Sequence, residues 1–163
     1  MQTFLPVPSF TETAQMLDRQ RLNKQALEAW QIMMTNLKLD PRGDFREPKG
    51  WYHHPAALMW KGHEMALLEY IRAMVSEWLL RGYKSTILDK AEATMVTAID
   101  RGLVAYPHAD MPKWYKVPRT LNAITKSHRL ALLNKNYQWY SRWGWKEGSG
   151  GKPESYEYVW REA

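Results

Sequence analysis

Residues 55–82 read PAALMWKGHEMALLEYIRAMVSEWLLRG. Leu67, Leu68, Ile71, Met74, Val75 and Trp78 recur there at spacings of three and four, which is the repeat of one helical face. Proline opens the stretch, where a helix has no use for its missing N–H, and Gly82 closes it with the residue type best suited to the left-handed turn beyond a helix end. The pattern predicts one long helix from Pro55 to Arg81. Upstream, residues 37–53 are rich in Pro, Gly and charge and read as a loop. Before that loop, Leu22, Ala26, Ala29, Trp30 and Met33 mark a helix that ends near Asn36, with Thr11 and Thr13 as candidate caps, and residues 1–10 form an extended arm. Downstream, helices are expected over Thr86 to Arg101, stopped by Gly102, and over Arg119 to Asn134, after the break at Pro118. The segment from Tyr137 is aromatic, and residues 144–163 read as an irregular tail. There is no period-two run long enough for a sheet, no internal repeat and no linker in mid-chain. The expected fold is all-α: a compact single domain over residues 1–163 with about four helices.

Composition narrows the function classes. The chain has 163 residues, 45% of them apolar and 25% charged, which suits one packed domain. Cysteine is absent, so disulfide scaffolds, cysteine nucleophiles and thiolate metal sites are excluded, and an intracellular, cytoplasmic setting is expected. Glycine-rich phosphate loops, GxSxG elbows and HExxH helices are missing too. No apolar run spans a bilayer, and the N-terminus lacks the basic and apolar regions of a signal peptide, so no membrane role is expected.

The net charge of +6 is unevenly placed. Residues 112–152 hold nine basic side chains, among them Lys116, Arg129 and Lys135, against the single acid Glu147. A concentrated basic surface gains free energy by displacing counterions from a phosphate backbone. Seven aromatic residues, including Trp139 and Tyr140, lie in the same segment, where flat rings offer stacking surfaces to bases. The histidines do not suggest a metal, because no pair has the spacing that puts two imidazoles on one helical turn. His54 before the Pro55 helix start, His63 next to Glu64, and His128 are candidate positioning groups. On the first helix, Asp18, Arg21, Gln25 and Glu28 share a face with Lys24 beside them. This set is an ordinary ion-pair ladder on a solvated helix or, in a DNA-facing cleft, a phosphate clamp with a carboxylate. The residues alone leave both open.

Three segments together carry a family resemblance: LDRQRLNKQALEAWQIM, then WYHHPAALMWKGHEMALLEYIRAMVSEWLLRGY, then SHRLALLNKNYQWYSRWG. They resemble the pyrimidine-dimer DNA glycosylase family, in particular a bacterial and phage branch marked by FLPxPxF, RLxKQ, HPAxxMWxGHE and SHRxxLL. The resemblance implies a helical monomer that binds double-stranded DNA, kinks it and displaces a base without a cofactor. It implies that an N-terminal α-amine attacks C1′ of the damaged nucleotide and that the resulting imine permits strand nicking. A helix carboxylate would stabilise the sugar cation, and arginines would hold the flanking phosphates. Carried onto this chain, the phosphate arginines correspond to Arg21 and Arg129 and the aromatic pair to Trp139 and Tyr140. The family's acidic position after the first-helix arginine falls here on Leu22 or Asn23, so Glu28 is the nearest carboxylate. Gln2 is too large for ordinary methionine removal, which makes the Met1 amine, or Lys24, the candidate nucleophile. The catalytic candidates are therefore Met1, Lys24, Glu28, His54 and His63, and the DNA-contact candidates are Arg21, Gln25, Lys116, His128, Arg129, Lys135, Trp139 and Tyr140. The alternative is a non-catalytic protein on the same scaffold that recognises distorted or modified DNA.

Overall fold

The computed structural model describes residues 1–104 and 108–161. Two helices carry the core: α2 (Arg19–Leu37) and α4 (Glu64–Leu80), flanked by α1 (Phe10–Met16) and α5 (Ile87–Asp100). The others are α3 (Pro55–Leu58), α6 (Lys113–Lys116), α7 (Pro118–Lys135) and α8 (Tyr137–Tyr140). Among the described residues there is no strand, only an isolated antiparallel bridge between Leu39 and Phe45. The all-α expectation is met, with the stripes on α2 and α4 buried as their spacing predicts. Trp78 alone of these sits half-buried, its indole N–H donating to the Lys84 carbonyl at 2.8 Å.

The helices number eight among the described residues instead of about four because two expected rods are broken and two short helices, α6 and α8, are added. The helix expected over residues 55–81 stops after Leu58 and restarts at Glu64. Gly62 there takes φ +83°, a conformation that ends a helix, and its N–H donates to Glu64 Oε1 at 3.1 Å. The break turns Trp60 inward, where it is fully buried. The helix expected from Thr11 or Thr13 is likewise divided, and its cap is Ser9, whose Oγ accepts the Glu12 N–H at 3.1 Å. Leu17 and Asp18 are extended between α1 and α2. The Arg81 guanidinium, from the end of α4, takes the freed carbonyls of Ala14, Gln15 and Leu17 at 2.7–3.3 Å, so a long-range side chain completes what a continuing helix would have supplied. Helix α7 begins at Pro118, one residue earlier than expected, and ends at Lys135.

Candidate active site

The arm, residues 1–10, has no helix or sheet partner until Phe10, yet Gln2, Thr3, Phe4 and Leu5 are all buried. Buried backbone groups need partners, and side chains from distant helices supply them. Phe4 N–H donates to Gln25 Oε1 at 2.7 Å and Leu5 N–H to His128 Nδ1 at 2.8 Å. Arg129 donates to the Pro6 carbonyl at 2.9 Å, and Tyr115 to that of Pro8 at 2.8 Å. The Tyr70 hydroxyl lies 2.7 Å from the Phe4 carbonyl and 2.8 Å from Gln25 Oε1, and its burial raises the phenol pKa well above the ordinary value. Trp60, freed by the break at Gly62, donates its indole N–H to Thr3 Oγ1 at 2.9 Å. The arm is thereby threaded into the core in one register.

That threading brings the chain's first residue to a cleft of about 670 Å³. Helix α2 forms its floor with Arg21, Lys24, Gln25 and Glu28, the arm contributes Met1 and Gln2, and the far wall is Lys135 with Tyr156 and Tyr158 of the tail. Glu28 is the one carboxylate among these lining residues. Its Oε2 accepts the Gln2 backbone N–H at 3.4 Å and the Gln25 amide at 3.3 Å, which ties the carboxylate to the residue after Met1. A neighbouring hollow of about 340 Å³ shares Met1 and Glu28 and is closed by Arg46 and Trp51. Arg21 is partly neutralised by Asp18, with Nη1 at 3.3 Å from both carboxylate oxygens. Lys135, with Nζ 5.2 Å from the centre of the Tyr156 ring, holds that phenol's pKa below the ordinary value, whereas burial raises that of Tyr158. The cleft is thus cationic, aromatic on one side, and carries a single fixed negative charge.

The profile of the pyrimidine dimer DNA glycosylase family matches residues 1–91, more than half of the chain. The chain belongs to the pyrimidine dimer DNA glycosylase family. No curated protein and no solved structure matches it. The matched part holds the arm, α2 and α4, and hence Met1, Arg21, Lys24, Gln25 and Glu28, while the wall made by Lys135, Tyr156 and Tyr158 lies beyond it.

The remaining candidates of this glycosylase-family chain are dispersed. His54 lies beside the cleft, against Trp51 and Trp160. Its Nδ1 caps α3 by accepting the Ala56 N–H at 3.0 Å, which leaves the ring proton on Nε2. Burial, and then the positive charge of the N-terminal amine, lower its pKa. His63 is not part of the cleft; its Nδ1 meets the Asp110 carbonyl at 2.9 Å in a separate hollow with Lys61 and Lys113. Lys116 pairs with Asp110 at 2.7 Å.

Three candidates for DNA contact are buried: Gln25, 2% exposed at the cleft floor, is tied to Phe4 and Tyr70, and two others are interior. His128 is 1% exposed and holds the arm, and Tyr140 is fully buried, its hydroxyl bonded to Asp18. The physical reason is the same for both: the irregular backbone at Leu5 and at Asp18 has no helix or sheet partner, and the His128 side chain of α7 and the Tyr140 side chain of α8 supply one. Arg129 is committed to Glu147 at 2.8 and 3.1 Å as well as to Pro6. Trp139 donates to the Met16 carbonyl at 2.7 Å, and Arg142 stacks on its ring at 3.9 Å.

Sequence reasoning missed Gln2, Tyr156 and Tyr158. The tail is irregular as expected, but it packs back on the domain, with Val159 N–H donating to Ser127 Oγ at 3.0 Å. The i, i+2 pair in YEYVW was the available signal, since an extended chain puts such residues on one side.

Proposed function

We propose that this chain excises damaged or modified pyrimidines from duplex DNA through an amine nucleophile and nicks the resulting abasic site. The observation that carries the reading is the placement of Met1: an arm buried over Gln2–Leu5 and anchored by hydrogen bonds to Gln25, Glu28 and His128 presents residue 1 at a cationic cleft whose sole lining carboxylate is Glu28. Arg21, Lys24 and Lys135 neutralise phosphates beside the lesion, and the displaced nucleotide enters between α2 and the tail. The neutral Met1 amine gives its lone pair to C1′, and the bond from C1′ to the base nitrogen breaks with its electron pair leaving on the base. Glu28, held by two N–H donors, offsets the positive charge that develops on the sugar. The nitrogen loses its two protons, one taken up by the departing base and one by O4′ as the C1′–O4′ bond breaks and the sugar ring opens, which gives an imine. Removal of a C2′ proton then expels the 3′ phosphate, and water releases the enzyme. Lys24, on the floor of the same cleft, is the second candidate nucleophile.

Borohydride reduction on a duplex with one abasic site, followed by peptide mapping, tests this. An adduct on residue 1 is expected, and the intact mass shows Met1 retained. An adduct on Lys24 would move the nucleophile to α2. Tight, salt-dependent binding with no adduct would remove amine chemistry and leave a DNA-recognition protein.

A further inference from the structure

One polar group of the cleft is left unused by the protein itself. Gln2 is 4% exposed and lines the cleft with Met1 and Glu28. Its Oε1 accepts the Thr3 N–H at 2.9 Å, which fixes the carbonyl end of the amide. Its Nε2 is closed to water and has no hydrogen-bond partner. Buried amide donors are ordinarily satisfied in folded proteins, and one held unpaired at a site wall is a donor awaiting an acceptor. The adjacent Glu28 Oε2 does not serve, since it is occupied by Gln2 N and Gln25 Nε2.

We propose that Gln2 is a specificity-determining residue, its side-chain amide donating to a carbonyl oxygen of the pyrimidine drawn into the cleft. The inference rests on the glycosylase reading above. With Oε1 already accepting from Thr3, the unpaired group that Gln2 offers is its Nε2 donor. At C4 a thymine-type base presents a carbonyl acceptor, whereas cytosine presents an amino group whose N–H donors would oppose that of Gln2; the C2 carbonyl is common to both, so the discrimination is made at C4. A buried donor rejects a mismatched edge more strongly than an apolar wall does, because the mismatch leaves the donor unpaired. Nε2 is sealed before substrate binds, so a covering side chain must turn aside. We assign that movement to Met1, the adjoining residue, which is half-buried, lines both the cleft and the neighbouring hollow, and has an unbranched, adaptable side chain.

The test compares affinities of the full chain for two duplexes that differ at one site, a cyclobutane thymine dimer in one and a tetrahydrofuran abasic analogue, which has no base to read, in the other. Gln2→Glu keeps the volume and the oxygen that bonds Thr3 while replacing the donor by an acceptor. Gln2→Met keeps the volume and removes both functions, and it carries the same comparison should Gln2→Glu fail to fold. Both replacements are large enough for Met1 to be retained. The expected result is that the wild-type preference for the dimer duplex over the abasic duplex falls about tenfold or more in the variants. An equal loss on both duplexes, no loss on either, or no wild-type preference would overturn the proposal. Borohydride trapping of the wild type is scored separately, so a failure of the amine chemistry is distinguishable from a failure of Gln2 recognition.

Discussion

Glu28 and His128 show how differently two polar residues in one core function. Glu28 is half-buried at the cleft, and its oxygen is anchored by neutral donors, so the carboxylate is held where a sugar cation would form. Glu28→Gln preserves an acceptor for Gln2 and Gln25 but removes that charge. We expect excision to fall by about 10²-fold or more, on the scale of losing one preorganised electrostatic group. DNA affinity should hold or rise, since a negative charge has left the phosphate path; single-turnover kinetics with a parallel binding titration checks both. His128, by contrast, is an anchor. Full burial pushes its pKa down from 6.5 to about 3, and its Nδ1 accepts the Leu5 N–H. The unfolded chain binds a proton below about pH 6.5 that the folded chain refuses until about pH 3, so stability falls as pH drops through that window. The cost is about 1.4 kcal/mol per pH unit, or about 2 kcal/mol between pH 6.5 and 5. His128→Asn retains a δ-position acceptor and does not titrate. Denaturant unfolding at pH 7 and pH 5 should therefore show a smaller acid loss in the variant by about that amount. The face shared by Arg21, Lys24, Gln25 and Glu28 was legible in the sequence, because spacing along one helix fixes direction. The duty of His128 was not, because its partner lies 123 residues away.

At the scale of elements, the breaks matter more than the rods. The turn at Gly62 and the extended Leu17–Asp18 step are where the chain departs from its own periodicity, and both serve the arm or the first turn of α2. Periodicity could not show them, since the apolar stripes begin only beyond the breaks, at Leu22 and at Leu67. Glycine inside KGHE was the one local sign. Arg129 is the joint among three elements, α7, the tail and the arm. The Glu147 carboxyl is held below its ordinary pKa, chiefly by this guanidinium. Arg129→Ala leaves a mostly buried carboxylate and the Pro6 carbonyl unpaired, and we expect a loss of about 2 kcal/mol, somewhat less than for a fully buried pair. That corresponds to a drop in Tm of roughly 4–8 °C for a chain of this length. The slope of DNA affinity against salt should not change, because the guanidinium is already committed within the protein. A shallower slope in Arg129→Ala would return this residue to the DNA surface.

Over the whole molecule, the basic excess of residues 112–152 converges on the cleft only through Lys135. Other cations of that segment go elsewhere: Lys116 to Asp110, Arg129 to Glu147, Arg142 to the face of Trp139. Lys135→Ala is thus expected to lower affinity for duplex DNA across sequences and to reduce the magnitude of the log–log salt slope by about 0.9, the value of one phosphate contact. Titrations at several salt concentrations measure it, and an unchanged slope would place the DNA away from the tail. Among the described residues no helix is long and apolar enough to cross a membrane. The sequence by itself determined the all-α class, the buried stripes of α2 and α4, the polar floor residues and the family resemblance, because each is a matter of spacing within one element or of local motif. Only the tertiary structure decided that the arm is buried, that the first residue meets Glu28, that Tyr156 and Tyr158 wall the cleft, and that His128 and Tyr140 are interior. Those contacts join segments far apart in the chain, and they are set by the need of irregular backbone for hydrogen-bond partners, which no local pattern records.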